Sequence, residues 1–160
     1  MSLYFGIYSK APVFLILLIA MQIYFTLVSE SAASAVDVVI LILALIAFAG
    51  HFHYCGLCIR RRLPPPQGAI LVSLLLILLT ITSFAELYRL LGLVPPTDKL
   101  DYLYFSVVTF TTLGYGDISP TGAIRIAAML QALTGYIMTP LIVGQILWSW
   151  SARTGRMATA

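Results

Sequence analysis

The residues with the clearest chemical potential form one short stretch, Thr112-Leu113-Gly114-Tyr115-Gly116, which is followed by Asp117. Two glycines one residue apart permit positive φ angles at alternate positions. This alternation turns successive carbonyl oxygens to the same side of the strand. Several such strands around an axis would form rings of oxygen that replace the water around a hard cation, and the Thr112 hydroxyl would add an oxygen at the inner end.

A second group of reactive side chains, His51, Cys55 and Cys58, recurs at i, i+4 and i+7, which places it on one face of a helix. With His53 nearby, this face is compatible with a zinc or other soft-metal site, with redox-sensing or lipid-modified thiols, or with packing where a helix leaves the membrane. The pattern favours packing. A membrane oxidoreductase built on the two cysteines would need a further cluster of acids or histidines within the membrane, which the chain lacks.

The composition places these residues in a membrane. The chain has 160 residues, of which 61% are hydrophobic and 9% charged, whereas a soluble domain carries about 25% charged residues. A small globule cannot bury this much apolar side chain, so the surrounding solvent must be lipid. Two cysteines are too few for a disulfide scaffold, and the net charge of +3 is carried at membrane ends rather than in a patch for nucleic acid.

Four apolar stretches are long enough to cross a bilayer, which requires roughly 20 helical residues. They run over Ala11 to Ser29, Val36 to Cys58, Ala69 to Leu91 and Gly122 to Trp150. A fifth apolar segment, Leu100 to Thr111, is too short to span and predicts a re-entrant half-helix, with Asp98 and Asp101 forming a cap-like start. Its C-terminus would point into the membrane, where the partial negative charge of a helix end stabilises a cation.

The charged residues predict the orientation. The segments before the first span, between the second and third spans and after the fourth contain no acid and carry these basic residues: Lys10, Arg60, Arg61, Arg62, Arg153 and Arg156. All six acidic residues lie on the other side. The positive-inside rule therefore places both termini in the cytoplasm of a plasma-membrane protein. Ala33-Ser34-Ala35 imitates a signal-peptide cleavage site, and cleavage there would leave the orientation of the other spans unchanged.

The re-entrant segment and the strand after it resemble the pore helix and selectivity filter of potassium channels. The resemblance is carried by Tyr104-Phe105-Ser106-Val107-Val108-Thr109-Phe110-Thr111-Thr112-Leu113-Gly114-Tyr115-Gly116-Asp117. It extends from about Ala69 to Trp150 and implies an outer helix, a pore helix, a filter and an inner helix, with two additional N-terminal helices outside it. Since each chain has one filter, it implies a homotetramer that holds K+ at the carbonyls of Thr112, Leu113, Gly114 and Tyr115.

The resemblance implies an all-α membrane protein that conducts potassium passively, catalyses no reaction and has K+ as its permeant ligand rather than a cofactor. Weakly selective cation conduction is the alternative. Tyr115 argues against it, because poorly selective relatives often lose this aromatic residue. The implied boundaries are an N-terminal transmembrane helical pair over 1–62, a cytoplasmic proline-rich linker over 63–68, a pore domain over 69–153 and a short cytoplasmic tail over 154–160.

The sequence departs from the commonest filter surroundings in three places. Leu113 stands where valine is usual, so its extra bulk is expected to pack behind the filter. Tyr104 and Phe105 occupy positions where tryptophans are frequent; Tyr104 keeps a hydrogen-bonding group, whereas Phe105 can only pack. Val108 stands where some members carry a glutamate that pairs with the aspartate matching Asp117. Asp117 itself is expected at the outer mouth, where it attracts cations, caps the loop, or does both.

The fourth span would line the pore, and Gly135 and Pro140 give it a place to bend. Gly135 follows Gly116 at about the distance of the hinge glycine in family members. Pro140 deprives the Tyr136 carbonyl of its helical donor, which the Thr139 hydroxyl is expected to replace. We interpret Gly135 and Pro140 as a gating hinge; the alternative is that Gly135 allows close helix packing.

The first two helices lie outside the resemblance. A voltage sensor carries arginines at every third position of a span, whereas Arg60, Arg61 and Arg62 are consecutive and lie at the cytoplasmic end. We interpret them as a topology anchor with affinity for anionic lipid. The expected partners are therefore other copies of the chain and membrane lipids, with no nucleic acid.

Overall fold

The computed structural model describes residues 2–27, 35–60, 68–93 and 98–157. Within these ranges the chain forms five α-helices: α1 (Ser2–Leu27), α2 (Ala35–Arg60), α3 (Ala69–Leu91), α4 (Leu100–Phe110) and α5 (Ile124–Met157). This confirms the prediction of an all-helical architecture for the described part of the chain. Most of the predicted proline-rich linker, Arg61, Arg62 and the Ala33-Ser34 pair lie outside the described residues.

In the part of the chain that the structure describes, three helices are long and apolar enough to cross a membrane: Val38–Arg60, Ala69–Leu91 and Ile124–Ala152. They correspond to the second, third and fourth predicted spans. The described apolar part of α1, Pro12–Tyr24, is shorter than a span, so the first crossing stays a prediction. α5 continues to Met157, beyond the predicted end at Trp150, because no proline interrupts the helix after Pro140.

α3 is the central helix and packs against α1, α2, α4 and α5. Every residue from Leu79 to Glu86 is buried, so α3 is covered on all sides at this level. The helix ends at Gly92, which takes a left-handed conformation with φ of 68°. The amides of Gly92 and Leu93 donate to the carbonyls of Arg89 and Tyr88 at 3.2 and 3.1 Å, a turn that satisfies the end of the helix.

Polar side chains hold α1 and the second half of α3 in register. The Gln22 Oε1 atom lies 2.9 Å from each of the hydroxyls of Thr82 and Ser83, and all three side chains are buried. Interhelical hydrogen bonds matter in lipid, where apolar burial gives little drive for helices to associate.

Further along α3, buried Glu86 accepts hydrogen bonds from the Arg89 guanidinium at 2.7 and 2.9 Å. This pairing offsets the cost of burying the carboxylate.

An aromatic cluster joins α3 to α4 and to the start of α5. Tyr88 and Phe105 pack edge to face with their ring centroids 4.8 Å apart. Phe84, Ile124 and Ala127 belong to the same buried cluster, together with Leu41 and Leu93. The orientation of α4 is therefore fixed by contacts on two neighbouring helices.

Candidate functional site

α4 is a half-length helix with a defined start. The Asp98 amide donates to Asp101 Oδ2 at 3.1 Å, and the Asp101 amide donates to the Asp98 carbonyl at 3.1 Å. The predicted cap-like pair is thus present, although Lys99 occupies the N-cap position itself. The 11 residues of α4 extend about 16 Å, roughly half of a ~30 Å bilayer core. This length fits the predicted re-entrant helix.

Two backbone hydrogen bonds connect the end of α4 to the start of the candidate filter strand. The Thr112 amide donates to the Thr109 carbonyl at 3.1 Å, and the Leu113 amide donates to the Val108 carbonyl at 3.0 Å. Thr112 takes a φ of 59°, which β-branched residues rarely adopt. Backbone strain of this kind persists only where the surroundings enforce it, and it clusters at functional sites. The sequence does not predict this angle, because only the glycines are expected to take a positive φ.

The strand has the alternation that its two glycines predict. Gly114 and Gly116 have φ angles of 57° and 81°, so that, together with Thr112, every second residue takes a positive φ. The carbonyl-ring hypothesis requires this backbone pattern. Every residue from 111 to 117 is exposed in the single chain. The strand is therefore free to face a cavity or another chain.

Leu113 makes little contact with its own chain, so its expected packing behind the filter stays a prediction. Its side chain is 59% exposed, and that of Tyr115 is 68% exposed. The prediction that Phe105 serves packing alone agrees with its burial against Tyr88.

Asp117 is anchored on both of its carboxylate oxygens. The Tyr104 hydroxyl donates to Oδ2 at 2.6 Å, and the Ile118 amide donates to Oδ1 at 3.1 Å. Asp117 is expected to cap the loop and Tyr104 to form a hydrogen bond. The Tyr104–Asp117 hydrogen bond corresponds to both expectations. This hydrogen bond raises the pKa of Tyr104 to about 12, so the hydroxyl stays a donor throughout the neutral range.

Replacing Tyr104 with phenylalanine is expected to destabilise the loop after the strand without changing the packing of α4. Asp117 then keeps only its short-range bond to Ile118, so we expect a severalfold faster decay of conduction during a sustained recording. Tyr102→Phe is the matched control, since it removes a hydroxyl from the same helix. Because Tyr104 has a pKa of about 12, the wild-type decay should not change between pH 7 and 9. Equal decay in both variants would show that the Tyr104–Asp117 hydrogen bond does not stabilise the loop.

A buried polar network behind the strand links three helices. Gln131 of α5 donates through Nε2 to the Ser106 carbonyl at 3.1 Å and lies 2.6 Å from Ser106 Oγ. The Tyr88 hydroxyl of α3 donates to Gln131 Oε1 at 2.5 Å, and Ser106 Oγ donates to the Ile81 carbonyl at 2.6 Å. Gln131, Ser106 and Tyr88 are each 0% exposed. The network fixes α4, and therefore the strand that follows it, against both long helices.

Sequence reasoning missed this network. In the sequence, Ser106 belongs only to the stretch that resembles a filter, and no motif contains Tyr88 or Gln131. A signal did exist, because Gln131 is a polar residue within an apolar span, and such residues rarely face lipid. Its partner, however, lies 25 positions away, and no local pattern in the sequence connects them.

Gly135 lies against the end of α4. A methyl group at this position would overlap the Phe110 carbonyl oxygen, whereas α5 remains helical through Gly135 and Pro140. The close-packing alternative therefore has direct support, and the hinge stays a prediction. The Thr139 hydroxyl donates to the Gly135 carbonyl at 2.9 Å, not to the Tyr136 carbonyl as expected. A hydroxyl at this position reaches the carbonyl four residues back more readily than the one three back.

The His51 face of α2 takes part in helix contacts. His51, Cys55 and Cys58 are all buried, and both cysteines are free thiols. His51 Nε2 lies 2.8 Å from Ser73 Oγ of α3 and 3.2 Å from Gln145 Nε2 of α5. Among the described residues, no group of three metal-binding side chains is placed to hold an ion. The zinc alternative at His51, Cys55 and Cys58 therefore has no geometric support.

Part of the chain is similar to known channels. Residues 70–148 match the Ion_trans_2 family, which is described as "Ion channel". The matched range begins in α3 and ends within α5, so it contains the candidate filter and excludes α1 and α2. The match supports an ion channel and points to a transporter rather than an enzyme. Together with the long apolar helices, it indicates a membrane protein.

Two curated relatives are similar over a shorter stretch. Protein LctB of Bacillus caldotenax is 43% identical over 53 residues, which are 33% of this chain and 40% of the relative. Protein LctB of Geobacillus stearothermophilus is 42% identical over 53 residues, with the same coverage. The match thus covers less than half the length of these relatives, and their name states no activity. No solved structure matches the chain significantly.

Proposed function

We propose that the chain is a subunit of a potassium-selective channel, in which K+ crosses the membrane passively at the axis of a homotetramer. The observation that carries the proposal is the exposed strand from Thr112 to Gly116, with positive φ angles at every second residue. It follows a half-length helix and precedes a helix long enough to span. In lipid, irregular backbone is tolerated at this depth only where protein buries it or where it lines a water-filled cavity.

The carbonyl oxygens of Thr112, Leu113, Gly114 and Tyr115 are the proposed K+ ligands. Backbone carbonyls arranged in rings can replace the hydration shell of K+, and selectivity over Na+ arises from the size of the site and from the number and strength of the coordinating dipoles. The Thr112 hydroxyl would add a ligand at the inner end. The end of α4 supplies a partial negative charge close to the strand, and exposed Asp117 adds one at the outer mouth.

Four copies of the chain are proposed because one strand cannot surround an ion. Leu113 and Tyr115 lack cover from their own chain, and α5 exposes large side chains such as Met129 at 70% and Tyr136 at 73%. Neighbouring copies would cover the side chains behind the strand, while α5 would line the pore and contact its neighbours. This arrangement is the one implied by the resemblance to potassium channels.

The proposed channel subunit also has an orientation and a location. Both termini are proposed to lie in the cytoplasm of a plasma-membrane protein, with the strand near the outer face. Arg60 is exposed at the end of α2, where it can contact anionic lipid headgroups.

Potassium efflux from proteoliposomes tests the proposed conduction path. Gly114→Ala is expected to abolish efflux, because alanine at a φ of 57° is strained and would shift the carbonyls of the strand. Gly122→Ala is the matched control. It imposes the same kind of strain at a φ of 54°, with equally open space around the new methyl group, but outside the strand. We expect Gly122→Ala to retain efflux near the wild-type rate.

Two outcomes would contradict this proposal. Equal efflux from the Gly114→Ala and wild-type proteins would show that the strand does not conduct. Absence of efflux from the wild-type protein, reconstituted as a folded tetramer and across a range of pH, voltage, tension and calcium, would show that the chain alone is not a conducting channel.

A further inference from the structure

Gln22 is a buried polar residue on the apolar stretch Pro12–Tyr24 of α1. Its side chain is 0% exposed, whereas its neighbours Met21 and Ile23 are exposed. Polar groups at membrane depth rarely face lipid and are costly to bury without a partner, so they mark contacts that a helix has to keep. Gln22 lies outside residues 70–148, which match the channel family. Its contact therefore bears on what α1 adds to the pore module.

The hydrogen bond from Ser83 ties Gln22 to α3. Gln22 Oε1 accepts from the hydroxyls of Thr82 and Ser83, each at 2.9 Å. A hydroxyl has one hydrogen to donate. Thr82 Oγ1 also lies 3.0 Å from the Leu78 carbonyl of its own helix, so Thr82 can place its hydrogen without α1. Ser83 is 1% exposed and donates across to Gln22. Loss of the Gln22 amide therefore affects Ser83 more than Thr82.

The same turn of α3 also holds α4. The Ile81 carbonyl accepts a hydrogen bond from Ser106 Oγ of α4 at 2.6 Å, and Ser106 Oγ lies 2.6 Å from Gln131 Nε2 of α5. Ile81 directly precedes the two hydroxyl partners of Gln22 in the sequence. The backbone that positions the acceptor of Ser106 is therefore the backbone that carries the partners of Gln22. A displacement of this turn would move the attachments of α1 and α4 together.

An apolar contact accompanies this polar link. α1 packs against α4 as well as against α3. Leu15 and Ile19 of α1 belong to the same buried cluster as Phe110, the last residue of α4, and Leu103 of α4 packs against that cluster. Leu15, Ile19 and Gln22 recur at i, i+4 and i+7, which is one face of a helix. One face of α1 therefore reaches both the turn of α3 that holds α4 and the packing at the end of α4.

We propose that α1 is part of the scaffold of the pore and that Gln22 is a positioning residue for the candidate filter strand. Gln22 holds Ser83, the nearby Ile81 carbonyl holds Ser106, and the strand begins at Thr112, six residues after Ser106. The effect on conduction rests on the proposed channel function, whereas the hold of α1 on α4 does not. The N-terminal helix thereby has a role that the resemblance to a filter does not supply.

Hydrogen–deuterium exchange of the reconstituted full chain tests the hold of α1 on α4. Gln22→Leu keeps a similar side-chain volume but removes the amide. We expect the amides of Thr112 and Leu113, which bond to carbonyls of α4, to exchange about threefold faster in this variant, the size of effect that an interhelical hydrogen bond has in a membrane. Met21→Leu is the matched control, because it places leucine at the adjacent exposed position, and it should exchange at the wild-type rate.

A double variant tests the route through Ser83. Ser83→Ala removes the donor of the same hydrogen bond, so Gln22→Leu should add little to the exchange rate in a Ser83→Ala background. In a Thr82→Val background, by contrast, Gln22→Leu should keep most of its effect. The full effect in both backgrounds would overturn the route through Ser83. Unchanged exchange at Thr112 in Gln22→Leu would overturn the hold of α1 on α4.

Planar-bilayer recording tests the effect on conduction. Gln22→Leu is expected to shorten conducting bursts about threefold relative to Met21→Leu and the wild type. Faster exchange with wild-type bursts would overturn the role in conduction. A lower melting temperature with wild-type bursts and wild-type exchange would show that Gln22 only stabilises the contact between α1 and α3, and would overturn the positioning role altogether. If the wild-type protein passes no current, the proposed channel function fails, while the exchange result still decides whether α1 holds α4.

Discussion

Replacing Gly135 with alanine is expected to abolish ion conduction, while replacing Gly144 with alanine leaves it close to the wild-type level. A Cβ atom at Gly135 would overlap the Phe110 carbonyl oxygen, which belongs to rigid backbone and cannot move aside alone. α4 would have to separate from α5, and Phe110 lies just two residues before Thr112, the first residue of the strand. The strand would therefore lose its position.

Gly144→Ala is a close control because Gly144 lies on the same helix with nothing near its would-be Cβ atom. Alanine favours a helix over glycine by about 1 kcal/mol at both positions, so helix propensity favours both variants and cannot explain a loss at Gly135. The measurement is unitary conductance and open probability in planar bilayers. Full unitary conductance in Gly135→Ala, with only the open probability changed, would contradict the packing account and support the hinge.

Gln131→Leu has the second-largest expected effect. Leucine fills a similar volume but leaves the Tyr88 hydroxyl without its acceptor and Ser106 without its donor, and all of these groups are fully buried. Each buried polar group that loses its partner costs about 1–3 kcal/mol. We expect a clear fall in the melting temperature of the purified protein and shorter conducting bursts, because α4 loses its buried hydrogen bonds to α5.

A second substitution separates the network from simple loss of packing. Tyr88→Phe in the Gln131→Leu background removes the hydroxyl that has lost Gln131 as its acceptor, so the double variant should be more stable than the sum of the two single effects predicts. Strictly additive changes in the free energy of unfolding would contradict a hydrogen-bonded unit. Normal burst lengths in Gln131→Leu would show that the network stabilises the fold without positioning the strand.

Local features of the site were predictable from the sequence because they depend on neighbouring residues. Gly114 and Gly116 specify the alternating backbone, and the spacing of Asp98 and Asp101 specifies the start of α4. The half-length of α4 follows from the number of apolar residues before the first filter glycine. In each case the determining interaction spans only a few positions, so the pattern is visible without the fold.

Other features depend on which helices meet and could not be read from the chain alone. The partner of Gly135 is a carbonyl of α4, which the sequence does not reveal, so the sequence favours a hinge and leaves close packing as the alternative. Gln131 and Gln145 meet residues on other helices, and a single glutamine in an apolar span does not indicate its partner. The positive φ of Thr112 is imposed by the way α4 ends, which residue type alone does not predict.

The bi-ionic reversal potential tests the central claim most directly. Wild-type protein in a planar bilayer is recorded with K+ on one side and Na+ on the other, and each tenfold preference moves the reversal potential by about 59 mV. Selective conduction through the carbonyls of Thr112 to Tyr115 predicts a shift of more than one such step toward the K+ equilibrium potential. A reversal potential near zero would contradict potassium selectivity and identify a weakly selective cation channel instead.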